Sequence, residues 1–422
     1  MSAMIPADAI EARIYSRVFP GLPVGKAVIP DYSGYCISAV PGLILSLFDG
    51  GEAGEKFLEE ALVEICPKGV ERVVFLILDG LGYVHLRELL RRFPDLYLHR
   101  LVERGAFLPI TSVFPSTTVS ALTSFSTGRT PQEHGMMGYR LYLEEIGAVT
   151  NMVHLATVES PRAHSAVEAG LDLETFLDLP TLYEQLAASG VETHVLLNRG
   201  IANSGLSQLL YRGATRIHPM VDFADMLVST RHILRSAQGK VFLSLYWSGT
   251  DTIAHTYGPF TEEFVAELRS VDGALEREWQ DQLDGTLLIL SSDHGFVAME
   301  PEDYYQLSAM VSRRYLVRLP AGEPRASYLF VRDGQMRALA EFATERFGDG
   351  LICLDARTAL STGLFGQGET KPEVANRIGD LLLVSTDRTA LFHPYPDALL
   401  LKGMHGGLTP HEVLVPLIVT RL

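Results

Sequence analysis

With 422 residues, 47% hydrophobic and 20% charged, the chain has the composition of an ordinary folded protein and the length for one large domain with an insertion, or for two domains. Its formal charge of −16 excludes a broad duplex-binding surface, because affinity for nucleic acid rests largely on neutralising phosphates with Lys and Arg. Cys36, Cys66 and Cys353 are odd in number and widely spaced, which excludes a disulfide framework or a thiolate metal cluster and suits a reducing cytoplasm.

The start, MSAMIPADAIEARIYSRVFPG, mixes acids and bases where a secretory peptide needs an unbroken apolar region. No stretch approaches the ~20 apolar residues of a membrane-spanning helix. The first strongly apolar run, VVFLIL (73–78), stops at Asp79-Gly80. FLPITSVF (107–114) stops at Pro115-Ser116, VFLSLYW (241–247) at Ser248-Gly249, and TLLIL (286–290) at Ser291-Ser292-Asp293. Runs this short and this apolar predict strands buried on both faces, the pattern of a parallel sheet. Between them LRELLRRF, LPTLYEQLAASG, FADMLVSTRHILRSA and TEEFVAELRSVDGALEREW carry helical spacing. The alternation predicts an α/β fold, a doubly wound sheet flanked by helices.

From about 298 to 395 the rhythm changes, with an alternating run ASYLFVRDG and a Gly-rich loop STGLFGQGETKPE. This segment is expected to be a smaller α+β cap insertion. LLLKGMHGGLTPHEVLVPLIVT then returns to the strand pattern, so residues 1–297 and 396–422 are expected to form the core and 298–395 the cap.

Acids and imidazoles gather where the strands end. Asp79 closes the first run, Asp251 and His255 stand four apart in WSGTDTIAHTYG, Asp293-His294 follow TLLILSS, and His405 lies in GMHGGLTPHE. Each alone is explained by a helix cap or a satisfied histidine. Together, three Asp and three His near one edge of a sheet supply oxygen and nitrogen ligands for two borderline cations. The Asp-x-x-x-His spacing turns both side chains to one face of a helix. In FPSTTVSALTSFSTGRTPQEHG (114–135), Val119, Leu122 and Phe125 recur at helical spacing, so a helix is predicted to begin near Thr118. That places a hydroxyl at the positive end of a helix dipole, where it serves either as an ordinary cap or as a nucleophile beside a metal.

The blocks LDGLG (78–82), FPSTT followed by STGRTPQEHG, DTIAH, SSDHG (291–295) and HGGLTP (405–410) resemble the alkaline phosphatase superfamily, in its type I phosphodiesterase/nucleotide pyrophosphatase branch. The resemblance spans roughly 70–142, 241–296 and 375–420, in family order. It implies an alkaline-phosphatase-like sheet holding two zinc ions, with manganese as the less favoured metal. Asp79, Asp293 and His294 are implied as ligands of one ion, with the nucleophile's oxygen beside it, and Asp251, His255 and His405 as ligands of the other. Thr118 is implied as the nucleophile that forms a covalent phosphothreonine, with Ser116 and Thr117 shaping the turn. The substrate implied is a small phosphate ester or nucleotide. His134 is expected to be structural, and His411 to lie at the surface.

At one position the chain departs from the family, which presents an Asn a few residues after the His-Gly; GMMGYRLY places Tyr139 there, beside Arg140. A phenol also donates a hydrogen bond, so Tyr139 and Arg140 are candidate substrate contacts. Arg129, Arg140 and Arg199 are candidate phosphate contacts, though each is more readily read as an exposed, solubilising residue. On the same core the rival activities are phosphomonoester or phosphonate hydrolysis; the rival of another class is a catalytically silent metal-binding regulatory protein. A dinucleotide-binding reading fails for want of G-x-G-x-x-G after the first strand.

Overall fold

The computed structural model describes residues 6–48, 57–62, 65, 66, 69–395 and 399–422. Residues 1–5, within the expected leaderless start, and 396–398, at the expected return from cap to core, lie outside the described residues.

The main sheet has seven strands: β1 (Arg72–Leu78), β2 (Ala106–Thr111), β3 (Glu192–Asn198), β4 (Arg216–Met220), β5 (Val241–Trp247), β6 (Thr286–Ser291) and β7 (Leu414–Arg421). Their order across the sheet is β2-β7-β6-β1-β5-β3-β4. The strands β6, β1, β5, β3 and β4 are mutually parallel, and β7 runs antiparallel between β2 and β6. The strongly apolar runs therefore became strands at or within three residues of the expected places. Their two-sided burial is explicit in the packing. Val73, Phe75 and Ile77 join one hydrophobic core with Phe242, Tyr246, Leu287 and Ile289. Val74, Leu76 and Leu78 join the other with Leu243, Leu245, Leu288 and Leu290. Side chains alternate across a strand, so helices must cover both faces, and each fully buried aliphatic side chain contributes about 1.5–3 kcal/mol.

A second seven-stranded sheet is antiparallel throughout. It runs in the order Leu351–Asp355, Leu381–Ser385, Ala326–Leu329, Ala321–Glu323, Arg140–Leu143, Ala148–Asn151, Ala156–Thr157. Four strands come from 298–395; the other three come from 140–157, so this sheet draws on more chain than the segment read as the cap. Pairing of Gly322 with Arg140 joins the two contributions. Tyr328, Leu382 and Val384 face the same core as Phe75 and Tyr246, while Leu329, Leu381 and Leu383 pack with Leu339, Phe347 and Leu351 on the outer side. The inner face of the second sheet is thus seated on the main body. Among the described residues no helix is long and apolar enough to cross a membrane.

Candidate metal centre and active site

The carboxyl ends of β1, β5 and β6 open toward one point. Asp79 follows β1, and its N–H donates to the Trp247 carbonyl at 3.0 Å. The next residue must be glycine: Gly80 has φ +77°, and a Cβ there would sit 2.4 Å from the Phe296 ring. Its N–H donates to Asp293 Oδ1 at 3.1 Å, and so does that of His294. After β5, the helix Gly249–Tyr257 carries Asp251 and His255 one turn apart. His405 follows the two-residue strand Gly403–Met404. The helix expected near Thr118 spans Thr118–Thr127, with Thr117 as its N-cap in extended conformation. Residues 119–127 are all buried, which leaves Thr118 partly exposed at the N-terminus.

All seven expected metal and nucleophile positions meet here. Single ligand atoms of Asp79, Asp293 and His294 lie within 4.8 Å of one another, and so do those of Asp251, His294 and His405. His255 joins through Asp251, with Nε2 3.3 Å from Oδ1. His294 therefore sits between the two sets: its Nε2 is 3.5 Å from Asp79 Oδ1, 3.4 Å from Asp293 Oδ2 and 3.1 Å from Thr118 Oγ1. Its ring stacks on that of His405 at 3.7 Å.

Two observations test whether a cation fits. Asp79 Oδ1, Asp251 Oδ1 and Asp293 Oδ2 are buried and have no hydrogen-bond partner, an expensive state for carboxylate oxygens. Each of the three imidazoles also has its Nδ1 at a backbone carbonyl: His255 at Gly403 (2.8 Å), His405 at Ser116 (3.1 Å), His294 at Gly295 (3.2 Å). Donation from Nδ1 fixes the tautomer and leaves the Nε2 lone pair as the ligand atom. Burial, then the charges of Asp293 and Asp251, holds the Asp79 carboxyl well above the usual carboxylate range. Burial, then the neighbouring His294 and His255, keeps His405 well below the usual imidazole value. Neutral imidazoles and mutually repelling carboxylates are what divalent cations bind, and the donor set fits them.

Several residues here escaped sequence reading. Tyr246, inside β5, donates its hydroxyl to Asp79 Oδ2, and Thr250 donates to the Asp79 carbonyl. Glu323, at the end of a second-sheet strand, is buried; its Oε1 accepts the Tyr139 N–H at 2.7 Å. Burial pushes its carboxyl up to about 7, against the hydrogen bond from Thr117 and the charge of Arg140. Glu323 and His393 line one cavity of about 520 Å³ with Asp79, Thr118, Asp251 and His405. Periodicity carries no signal for such residues, since Glu323 closes a three-residue strand and His393 follows the two-residue strand Ala390–Leu391.

Tyr139 and Arg140 line this cavity too. The Tyr139 hydroxyl oxygen accepts from Asn151 Nδ2 at 2.6 Å. Arg140 corrects its alternative reading as a solubilising residue, because it is buried and its guanidinium lies 5.0 Å from the Tyr139 ring centroid and 4.7 Å from that of Tyr395. Arg129 and Arg199 are exposed. The Ser116 hydroxyl donates to the Gly407 carbonyl at 2.9 Å, tying the nucleophile turn to the His405 loop. His134 is buried, with Nδ1 accepting from Met136 N–H and Nε2 beside Ser124 Oγ, a structural set of partners. His411 is exposed.

Ligands at the carboxyl ends of a doubly wound sheet, converging on a hydroxyl at a helix N-terminus, define a metal-dependent phosphoryl hydrolase of the alkaline phosphatase superfamily. The sequence profile of the family "Type I phosphodiesterase / nucleotide pyrophosphatase" matches residues 73–408, and the chain belongs to that family of phosphoric ester hydrolases. The fold is similar to that of murine ectonucleotide pyrophosphatase/phosphodiesterase 5 (TM-score 0.64, 15% identity, covering 83% of this chain and 88% of that one). It is also similar to phosphonoacetate hydrolase from Sinorhizobium meliloti 1021 in complex with phosphonoformate (TM-score 0.63, 20% identity, 83% and 90% covered). Among curated proteins, GPI ethanolamine phosphate transferase 2 of Aspergillus fumigatus is 23% identical over 250 residues, 57% of this chain. The chain matches only 29% of that relative's length.

Proposed function

We propose that the protein is a phosphodiesterase of the nucleotide pyrophosphatase type, working through a phosphothreonine on Thr118 with two zinc ions. One ion would be held by Asp79, Asp293, His294 and the Thr118 oxygen, the other by Asp251, His255 and His405. The observation that carries this reading is the meeting of three unpaired carboxylate oxygens and three Nε2 lone pairs around a single hydroxyl. Zinc is favoured over manganese because imidazoles equal carboxylates in number.

Bound divalent ions supply Lewis-acid charge that lowers the pKa of an alcohol or water and offsets charge on the phosphoryl oxygens. The chain's own groups do the rest. Thr118 Oγ1 forms a bond to phosphorus as the bond to the leaving oxygen breaks; water then releases the phosphoryl group from Thr118. Two displacements give net retention. The N–H groups opening the Thr118–Thr127 helix favour a phosphoryl oxygen at that end. Tyr246 and the backbone of Gly80 and His294 hold the Asp79 and Asp293 carboxylates by their other oxygens.

Phosphonate cleavage is the second reading, favoured by Tyr139 at the family's Asn position and by a structural neighbour bound to phosphonoformate. Metal analysis with initial rates on bis-p-nitrophenyl phosphate, p-nitrophenyl phosphate and phosphonoacetate tests both readings. The diester should be turned over fastest, and Thr118→Ala should abolish turnover while keeping its zinc. A large preference for the monoester or phosphonate would overturn the diesterase assignment.

A further inference from the structure

The cavity extends beyond the candidate metal ligands to Glu323, which closes a second-sheet strand, and to His393, which follows the short strand Ala390–Leu391 and meets the second sheet at Ser327. There the Ser327 hydroxyl lies 2.9 Å from the Glu323 carbonyl and 2.8 Å from His393 Nε2. A hydroxyl has one proton, and a carbonyl has none to give, so Ser327 donates to Glu323 and the His393 bond must be donated by Nε2–H. His393 is fully buried, and burial, followed by the Arg140 charge, pushes its imidazole down to about 3. A neutral ring with its proton on Nε2 presents a bare lone pair at Nδ1, and Nδ1 is buried with no partner. The Glu323 carboxyl group, held by the Tyr139 N–H, lines the same cavity. An unmatched acceptor such as His393 Nδ1, on a residue that lines a ligand cavity, is costly unless a ligand supplies a donor.

We propose that His393 Nδ1 and the Glu323 carboxylate form a donor-reading subsite that selects phosphate esters whose alcohol half carries a hydroxyl or ammonium group. This rests on the phosphoryl-binding reading of the same cavity. An ester with a purely apolar alcohol half leaves His393 Nδ1 unmatched and gives the Glu323 carboxylate no further donor. A hydroxyl on that half gives its one proton to one acceptor, and an ammonium can give to both.

The test is calorimetric titration of the zinc-loaded Thr118→Ala protein, which reads binding without turnover. Propyl phosphate is compared with its isosteres 2-hydroxyethyl phosphate and 2-aminoethyl phosphate. Both donor-bearing esters should bind about 5- to 100-fold tighter than propyl phosphate. Adding His393→Phe should collapse the hydroxyl preference toward unity. Adding Glu323→Gln, which keeps an acceptor for the Tyr139 N–H, should remove the extra preference for the ammonium ester. Thermal melting reports whether each variant is folded, and exposed Arg199→Ala serves as a control with unchanged ratios. Equal binding of all three esters, or a preference that survives both substitutions in folded protein, overturns the subsite. If none of the esters binds, both the subsite and the phosphoryl-binding reading fall; binding of propyl phosphate as tightly as the others sinks the subsite alone.

Discussion

Stripping divalent metal from the protein should destabilise it, and more so as pH rises. Three buried carboxylate oxygens, on Asp79, Asp251 and Asp293, have no hydrogen-bond partner and only imidazoles nearby, at 3.3–3.5 Å. An unsatisfied buried polar group costs about 1–3 kcal/mol, and more when charged, so pairing all three with cations is worth roughly 3–9 kcal/mol. At about 2.1 cal/mol/K of unfolding entropy per residue, a chain of 422 residues shifts its Tm by about 1 °C per kcal/mol. Chelation should therefore lower Tm by about 3–10 °C. Mass action gives the same scale, since each site at a thousand times its Kd contributes about 4 kcal/mol. The sign with pH follows from the raised carboxyls of Asp79, through burial and then Asp293 and Asp251, and of Asp251, through burial. An acid whose pKa is raised by folding lends stability that is fully present below its unfolded value and is lost as pH climbs through the folded one. The metal-free fold thus weakens from about pH 4 upward, while cations hold the same groups ionised at no such loss. Scanning calorimetry with EDTA and with added zinc at pH 6 and pH 8 is the assay. An unchanged Tm, or a larger chelator effect at pH 6, would refute the reasoning.

Thr118→Ala should cut kcat on activated diesters by on the order of 10³-fold or more, whereas Thr118→Ser, which keeps a hydroxyl, should stay measurably active in the same stopped assay. Tyr246→Phe removes the hydroxyl that orients Asp79 and should weaken zinc binding or turnover about 10- to 100-fold, read by competition with a chromogenic chelator. Arg325 and Glu412 form a fully buried pair, with Nε to Oε1 at 2.6 Å; Arg325→Ala strands the carboxylate and should cost about 3–5 kcal/mol, measured by urea denaturation. Gly80→Ala should lower both Tm and zinc content, because the new methyl meets the Phe296 ring in a left-handed backbone.

The parts of the site that lie close to a strand end were legible in the sequence. VVFLIL and TLLIL announced buried strands, and in an open α/β sheet whatever follows such a strand faces the ligand crevice. That logic placed Asp79, Asp293 and His294, and helical spacing placed Asp251 over His255. Tyr246 was hidden because an aromatic inside an apolar run reads as core, and its hydroxyl declares itself only when β1 lies alongside. Arg140 was read as either a phosphate contact or a solubilising residue, because a charged side chain is rarely buried; the Tyr139 and Tyr395 rings flanking it come from segments more than 250 residues apart. Glu323 and His393 gave no signal at all, because the strands that bring them to the cavity, Ala321–Glu323 and Ala390–Leu391, are too short to carry a period. For the same reason the strands between 140 and 157, each two to four residues long, did not stand out against the loops around them.

The position of β7 bears on how the protein is made. It is the final strand in the chain, yet it lies inside the main sheet, bridging β2 and β6. Until residues 414–421 have left the ribosome, β2 has no strand to pair with in the main sheet and β6 shows an unzipped flank, two sticky borders open to mispairing. Glu412, which clamps Arg325 and the Gly407 N–H just beyond His405, arrives in the same last stretch. A chain cut short before Glu412 would thus leave both strand borders open and the loop after His405 without its clamp, so the proposed metal site presupposes a closed sheet.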